Sequence, residues 1–146
     1  MTFRIIADSS CDIFELERKI DNLYFNTVPF VITVDGKDFV DDEKLDVNEL
    51  VEAMASSSKS HTSCPSPADW IREFGEEGDV FALTISSNLS GSYNSACTAR
   101  EMVLEKDPGR NIEILDLSCY RILKILIFIQ SKTIDYLLCK KILIKY

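Results

Sequence analysis

At 146 residues, with 46% apolar and 27% charged side chains, the sequence is sized for one globular domain with its own core, neither disordered nor fibrous. A formal net charge of −8 argues against a nucleic-acid partner, because a phosphate backbone demands a basic face. Five cysteines without a CxxC pair, and His61 as the one histidine, make no zinc ligand set and read as reduced thiols of a cytoplasmic protein.

No signal-peptide pattern precedes the first run, Phe3-Arg4-Ile5-Ile6-Ala7, which reads as a strand ending in the polar turn Asp8-Ser9-Ser10. Asp12 with Glu15 three positions on is a capping-box pattern, and Ile13, Leu16 and Ile20 mark a helical face behind it. Val28 to Val34 reads as a second strand with Pro29 near its start. Asp35-Gly36 is a hairpin turn, and Lys37 to Val40 pairs back as an edge strand. Asp46 and Glu49 repeat the capping signal ahead of Val47, Leu50, Val51 and Met54 on one helical face.

Ser56 to Pro67 is expected to be a polar loop, ending with Ser66 as cap and Pro67 as first residue of a Trp70–Phe74 helix that Gly75 and Gly78 close. Val80 to Ile85 is a nearly continuous apolar run, the pattern of a strand buried on both faces. Ser86-Ser87-Asn88-Leu89-Ser90-Gly91 then leads into a long helix, Ser92 to Lys106. Asp107-Pro108-Gly109 stops that helix, and Ile112 to Leu115 is a further buried strand. Strands alternating with helices predict an α/β fold, a mostly parallel sheet flanked by helices.

Ligands of such sheets gather beyond the carboxyl ends of the strands. Three polar turns are expected at or near that edge: Asp8–Ser10, Thr62–Ser66 and Ser86–Ser90. Hydroxyls beside a helix amino terminus suit an anionic group, and the small Gly91 lets a ligand approach the backbone. The alternative is that Ser86, Ser90 and Ser92 only cap the helix and shape the turn. A hydrolase with Ser90 as nucleophile is a competing reading. It needs a base, for which His61 is the sole histidine, and Asn88 stands where a nucleophile elbow has its upstream glycine. Neither GxxxxGK[ST] nor GxGxxG is present, which argues against a nucleotide. Carboxylate capture by neutral hydroxyls fits better, with an apolar tail supplying most of the affinity at about 0.8 kcal/mol per CH₂. No residue set calls for a metal or an organic cofactor.

The chain changes character near Cys119. Of the 24 acidic residues only Asp135 lies beyond Ser118, whereas six of the 16 basic residues do. Ile122 to Ile129, interrupted by Lys124, falls far short of the ~20 residues a membrane span needs. Ile125 to Ile129 has high β propensity and no charge, the mark of an aggregation-prone segment.

Asp8-Ser9-Ser10, then Thr62-Ser63-Cys64-Pro65-Ser66, then Ser86 through Ala96 resemble, in order and spacing, the DegV family of bacterial fatty-acid-binding proteins. The family's usual second motif is Thr-Ser-Gln-Pro-Ser, so Cys64 departs from it. The likeness covers about residues 3–118, an amino-terminal domain spanning 1–118. It implies a cytoplasmic protein that binds a long-chain fatty acid between two domains. The carboxylate is held at positions that match Thr62 and Ser90, and Ser63, Ser86, Ser87, Asp8 and Ser9 are weaker pocket candidates. It also implies that the acid is presented to a separate fatty acid kinase, which makes an acyl phosphate for phospholipid synthesis, and that the binding protein supplies no nucleophile. The family's carboxy-terminal domain, with its basic residue near the ligand head group, is not recognisable in 119–146. That Ile/Lys-rich tail is read as the product of truncation, for which a frameshift is one origin. A third expectation is therefore a fragment that no longer functions.

Overall fold

The computed structural model describes residues 2–17 and 19–117. Four strands form a parallel sheet in the order β2-β1-β6-β7: β1 (Phe3–Asp8), β2 (Leu23–Val28), β6 (Asp79–Ile85) and β7 (Ile112–Leu117). The two central strands are the most apolar, as burial on both faces requires. Alternation sorts their side chains. Phe3, Ile5, Ala7, Phe81 and Leu83 enter one cluster with Leu117 and Cys11. Ile6, Val80 and Ala82 enter the other, under Trp70 and Phe74 of α2 (Pro67–Phe74) and Ala96 and Ala99 of α3 (Ser92–Lys106).

A second, antiparallel sheet in the order β4-β3-β5 is built from β3 (Val31–Val34), β4 (Lys37–Val40) and β5 (Ser60–Ser63). The β3–β4 turn has Asp35 and Gly36 both at positive φ, 46° and 88°, which suits the right-handed twist of a hairpin. Helix α1 (Val47–Ser56) packs Leu50 against Val34 and Phe39, and its cap Asp46 accepts from the amides of Asn48 and Glu49. Glu49 reaches Lys37 rather than the cap backbone, so the box is half formed. At α2 the box is complete: Ser66 and Asp69 satisfy each other's amides with Pro67 at the first turn.

Three expected elements differ. The described residues of 12–22 form no helix, because Asp12 sits at φ 55°, left-handed rather than the extended conformation a cap needs. A short 3₁₀ turn, Ser9–Cys11, precedes it, and Ile13 and Ile20 still cover the sheet as irregular chain. The strand expected over 28–34 is two strands, broken at Pro29-Phe30, with β2 starting five residues earlier and belonging to the other sheet. Pro29 lacks the N–H that a continuous ladder would use. The loop expected over 56–67 contains β5, whose polar, exposed residues carry no apolar signal and pair only because β3 offers an edge. The boundary expected near Cys119 and the tail beyond it lie outside the described residues.

Among the described residues, no helix is long and apolar enough to cross a membrane.

Candidate functional site

Parallel pairing brings the carboxyl ends of all four strands to one edge. Asp8 lies opposite Val28, and Ile85 opposite Leu117. Asp8, which ends β1, is fully buried, and its carboxylate is the hub of that edge. Oδ2 accepts from the Ile85 amide at 2.8 Å and from the Ser92 hydroxyl at 2.7 Å, while Oδ1 accepts from the Ser10 hydroxyl at 2.5 Å. Burial raises the Asp8 pKa above the ordinary 3.8, and the hydrogen bonds from Ser10, Ile85 and Ser92 only partly oppose it. Nearby, burial pushes the Cys11 thiol up to about 11, so it stays protonated at neutral pH.

The folded chain holds the Asp8 proton more tightly than the unfolded chain does. The resulting stability is fully present below 3.8 and is lost as pH rises through the folded-state value. Asp8→Asn, near-isosteric and unable to ionise, is therefore expected to gain stability relative to the parent protein as pH rises across that window. Paired thermal melts from about pH 3 to about pH 7 check this, and a pH-independent difference would contradict it. Asp69, whose pKa the Ser66 hydroxyl lowers, is common to both proteins and cancels in the comparison.

Ser9 turns the other way. Its hydroxyl donates to Asp41 Oδ2 at 2.6 Å and accepts from the Phe30 amide at 3.1 Å, so it reaches the antiparallel sheet and its link to β2. Asp8 and Ser9 thus have protein partners for their polar atoms.

The turn after β6 is tied from within. The Leu89 and Ser90 amides donate to the Ser86 carbonyl, and the Asn88 amide to the Ser86 hydroxyl. Ser87 is pinned to Asp116 on β7 through its amide at 2.9 Å and its hydroxyl at 2.5 Å. Leu89, 76% exposed, forms the tip. Ser90 is half-buried and its Oγ accepts from the Ser92 amide at 3.2 Å, which leaves its own O–H to donate outward. Gly91 precedes the first helical residue and makes no side-chain cap.

The segment after β5 lies against this helix start. Ser95 donates to the Pro65 carbonyl at 2.6 Å, and a Cβ added at Gly91 would stand 3.3 Å from Cys64 Sγ, so glycine is what allows the close approach. Thr62 and Ser63 are exposed at the end of β5. Thr62 pairs with Ile32 and His61 with Thr33, which puts Thr62 and His61 on opposite faces of the sheet. The second and third motifs therefore meet at the start of α3, while Asp8 and Ser9 lie beneath them.

Sequence reasoning missed Asp41 and Asp116. Asp116 carries a signal, an acidic residue near the end of an apolar strand as Asp8 is, paired with Thr84 in the neighbouring strand, though β7 is the edge strand, only partly buried, and Asp116 is exposed. Asp41 carries none, since its role depends on the fold of the other sheet. Among the described residues, no group of three or more His, Cys, Asp or Glu side chains is placed to hold a metal ion.

A family model described as "Uncharacterised protein, DegV family" matches residues 2–131. A DegV domain-containing protein of Streptococcus pneumoniae is 42% identical over 117 residues, which is 80% of this chain and 42% of that protein. The chain spans less than half the length of the curated relatives it matches. Among solved structures, the Fatty Acid Kinase (Fak) B3 protein of Streptococcus pneumoniae, loaded with linoleic acid, is 34% identical with a TM-score of 0.77, covering 90% of this chain and 55% of that one. A DegV family protein of Eubacterium eligens, loaded with heptadecanoic acid, is 30% identical with a TM-score of 0.79, covering 97% of this chain and 52% of that one. With nearly the whole sequence matched by the family model and a relative 42% identical over 117 residues, this chain belongs to the DegV family.

Proposed function

We propose that this chain forms part of a site that binds a long-chain fatty acid by its carboxylate, with Thr62 and Ser90 as hydrogen-bond donors. The observation that carries the reading is the meeting of the Cys64-Pro65 segment with Gly91 and Ser95, which brings two hydroxyl-bearing motifs to one helix start. The helix amino terminus adds a favourable field for the negative head group. Relatives loaded with linoleic and heptadecanoic acids support the ligand class. The acid would be presented, in the cytoplasm, to a separate fatty acid kinase, and this chain would supply no nucleophile.

The competing hydrolase reading is disfavoured by the pairing of β5. One face of that strand can turn Thr62 or His61 toward Ser90, not both, so the sole histidine is on the wrong face if Thr62 meets the ligand. Native mass spectrometry of the purified chain tests the proposal. The expected spectrum carries an adduct of fatty-acid mass, or gains one on addition of linoleate. A chain that stays bare in linoleate would sink it.

A further inference from the structure

We infer that Asp8 and Ser9 are positioning residues: a clamp with two arms that sets the Thr62 strand against the Ser90 turn without either residue touching the ligand. The inference rests on the carboxylate-binding reading for its functional consequence, though the clamp itself is a property of the ligand-free chain.

The two residues are adjacent, and each is 0% exposed, so neither can meet a ligand unless the edge opens. Their side chains hold different parts of the molecule. The Asp8 arm takes the Ile85 amide at the end of β6 and the Ser92 hydroxyl at the start of α3, the two ends of the segment that carries Ser90. Ser92 is itself joined to Ser90, since its amide donates to Ser90 Oγ. The Ser9 arm takes the Phe30 amide, in the short link between β2 and β3, and Asp41, just past β4. The Asp41 amide donates to the Phe30 carbonyl at 2.9 Å, which closes a ring of hydrogen bonds around Ser9. Thr62 belongs to the sheet that this arm secures, through β5 paired to β3.

A slide of the antiparallel sheet relative to the Ser90 turn must break one arm or the other. Two donors that share one carboxylate have to be held to within about 0.5 Å of the productive geometry, which hydroxyls on separate elements, Thr62 exposed and Ser90 half-buried, cannot manage unaided. Asp8, Ser9 and Ser92 are themselves buried, so bulk water competes little for their side chains.

The test has one arm without ligand and one with it. In amide hydrogen exchange on the full chain, Ser9→Ala is expected to speed exchange at Phe30 and along β5 while leaving Ser92 unchanged. Asp8→Ala should speed exchange at Ile85 and Ser92. Asp8→Asn should restore the slow rates, because its oxygen can accept from Ile85 and Ser92 while its NH₂ donates to Ser10. In titrations with linoleate, Ser9→Ala and Asp8→Ala should each weaken binding about fivefold, less than the roughly ten- to hundredfold expected when such a hydrogen bond is removed outright, because the donor is displaced rather than deleted.

The decisive readout is which losses fail to add. Ser9→Ala should cost nothing further once Thr62→Val is present, nor Asp8→Ala once Ser90→Ala is present, whereas a general loss of stability would add in both backgrounds. Unchanged exchange in Ser9→Ala, or additive losses in both pairs, overturns the inference. If Asp8→Ala does not fold, the Ser9→Ala and Thr62→Val pair decides it alone. A parent chain that fails to bind linoleate would overturn the carboxylate reading, and the exchange rates would still decide whether the clamp exists.

Discussion

Thr62→Val and Ser90→Ala introduced together are expected to weaken linoleate binding by roughly a hundred- to ten-thousandfold while the chain keeps its far-ultraviolet circular dichroism. A hydrogen bond to a charged group is worth about 1.5–3 kcal/mol, so each single change should weaken binding by roughly ten- to a hundredfold. The tail cannot compensate. Its burial is favourable in any orientation, and the anchors are what fix which end lies at the start of α3. The fold should tolerate both changes. Thr62 is exposed on β5, where valine is at least as good a strand former, and Ser90 is half-buried with one internal bond, from the Ser92 amide. Losing that acceptor should cost about 1 kcal/mol, visible as a small drop in melting temperature. Isothermal titration beside a thermal melt separates the two effects. A double variant that binds linoleate like its parent would remove Thr62 and Ser90 from the site.

Trp70→Ala is expected to have the largest effect on stability. Trp70 is fully buried beneath the sheet, tilted against Phe74 with ring centroids 6.0 Å apart, in the cluster that holds Ile6, Val80 and Ala96. Deleting so large a side chain typically costs about 3–5 kcal/mol, through lost burial and the cavity left behind. Small domains are stable by only about 5–15 kcal/mol, so urea unfolding should shift far to lower denaturant or the chain should fail to fold. Trp70→Phe should be much milder. Among the described residues the indole Nε1 is buried without a hydrogen-bond partner, and phenylalanine removes that unpaired N–H while keeping most of the apolar contact. Similar losses for the alanine and phenylalanine variants would place the energy in the indole's shape rather than its bulk.

Helix α3 spans the predicted Ser92 to Lys106, and the Asp35-Gly36 hairpin and the Asp46 and Ser66 caps also stand as read. Each is a local signal: a stop at Asp107-Pro108-Gly109, two residues suited to positive φ, an acceptor side chain one step before an apolar face. Local signals failed where a neighbour decides the outcome. Asp12 and Glu15 carry a capping pattern, yet the backbone turns left-handed there after the 3₁₀ turn at Ser9–Cys11. Strand β5 is Ser-His-Thr-Ser, four exposed polar residues that become a strand only through pairing with β3.

By itself the sequence determined strands β1, β4, β6 and β7, helices α1 to α3, the caps and turns that bound most of them, and the three hydroxyl-rich motifs, because these depend on residues close together along the chain. It did not determine what the motifs do at the sheet edge. Asp8 and Ser9 look like surface-turn residues in sequence, since an aspartate and a serine after a strand ordinarily face water. Only the tertiary structure buries them and points one at Ile85 and Ser92, the other at Phe30 and Asp41. The reason is that a buried polar group must find partners, and apart from Ser10, two positions from Asp8, theirs lie from 21 to 84 positions away in the chain, beyond the reach of any local pattern.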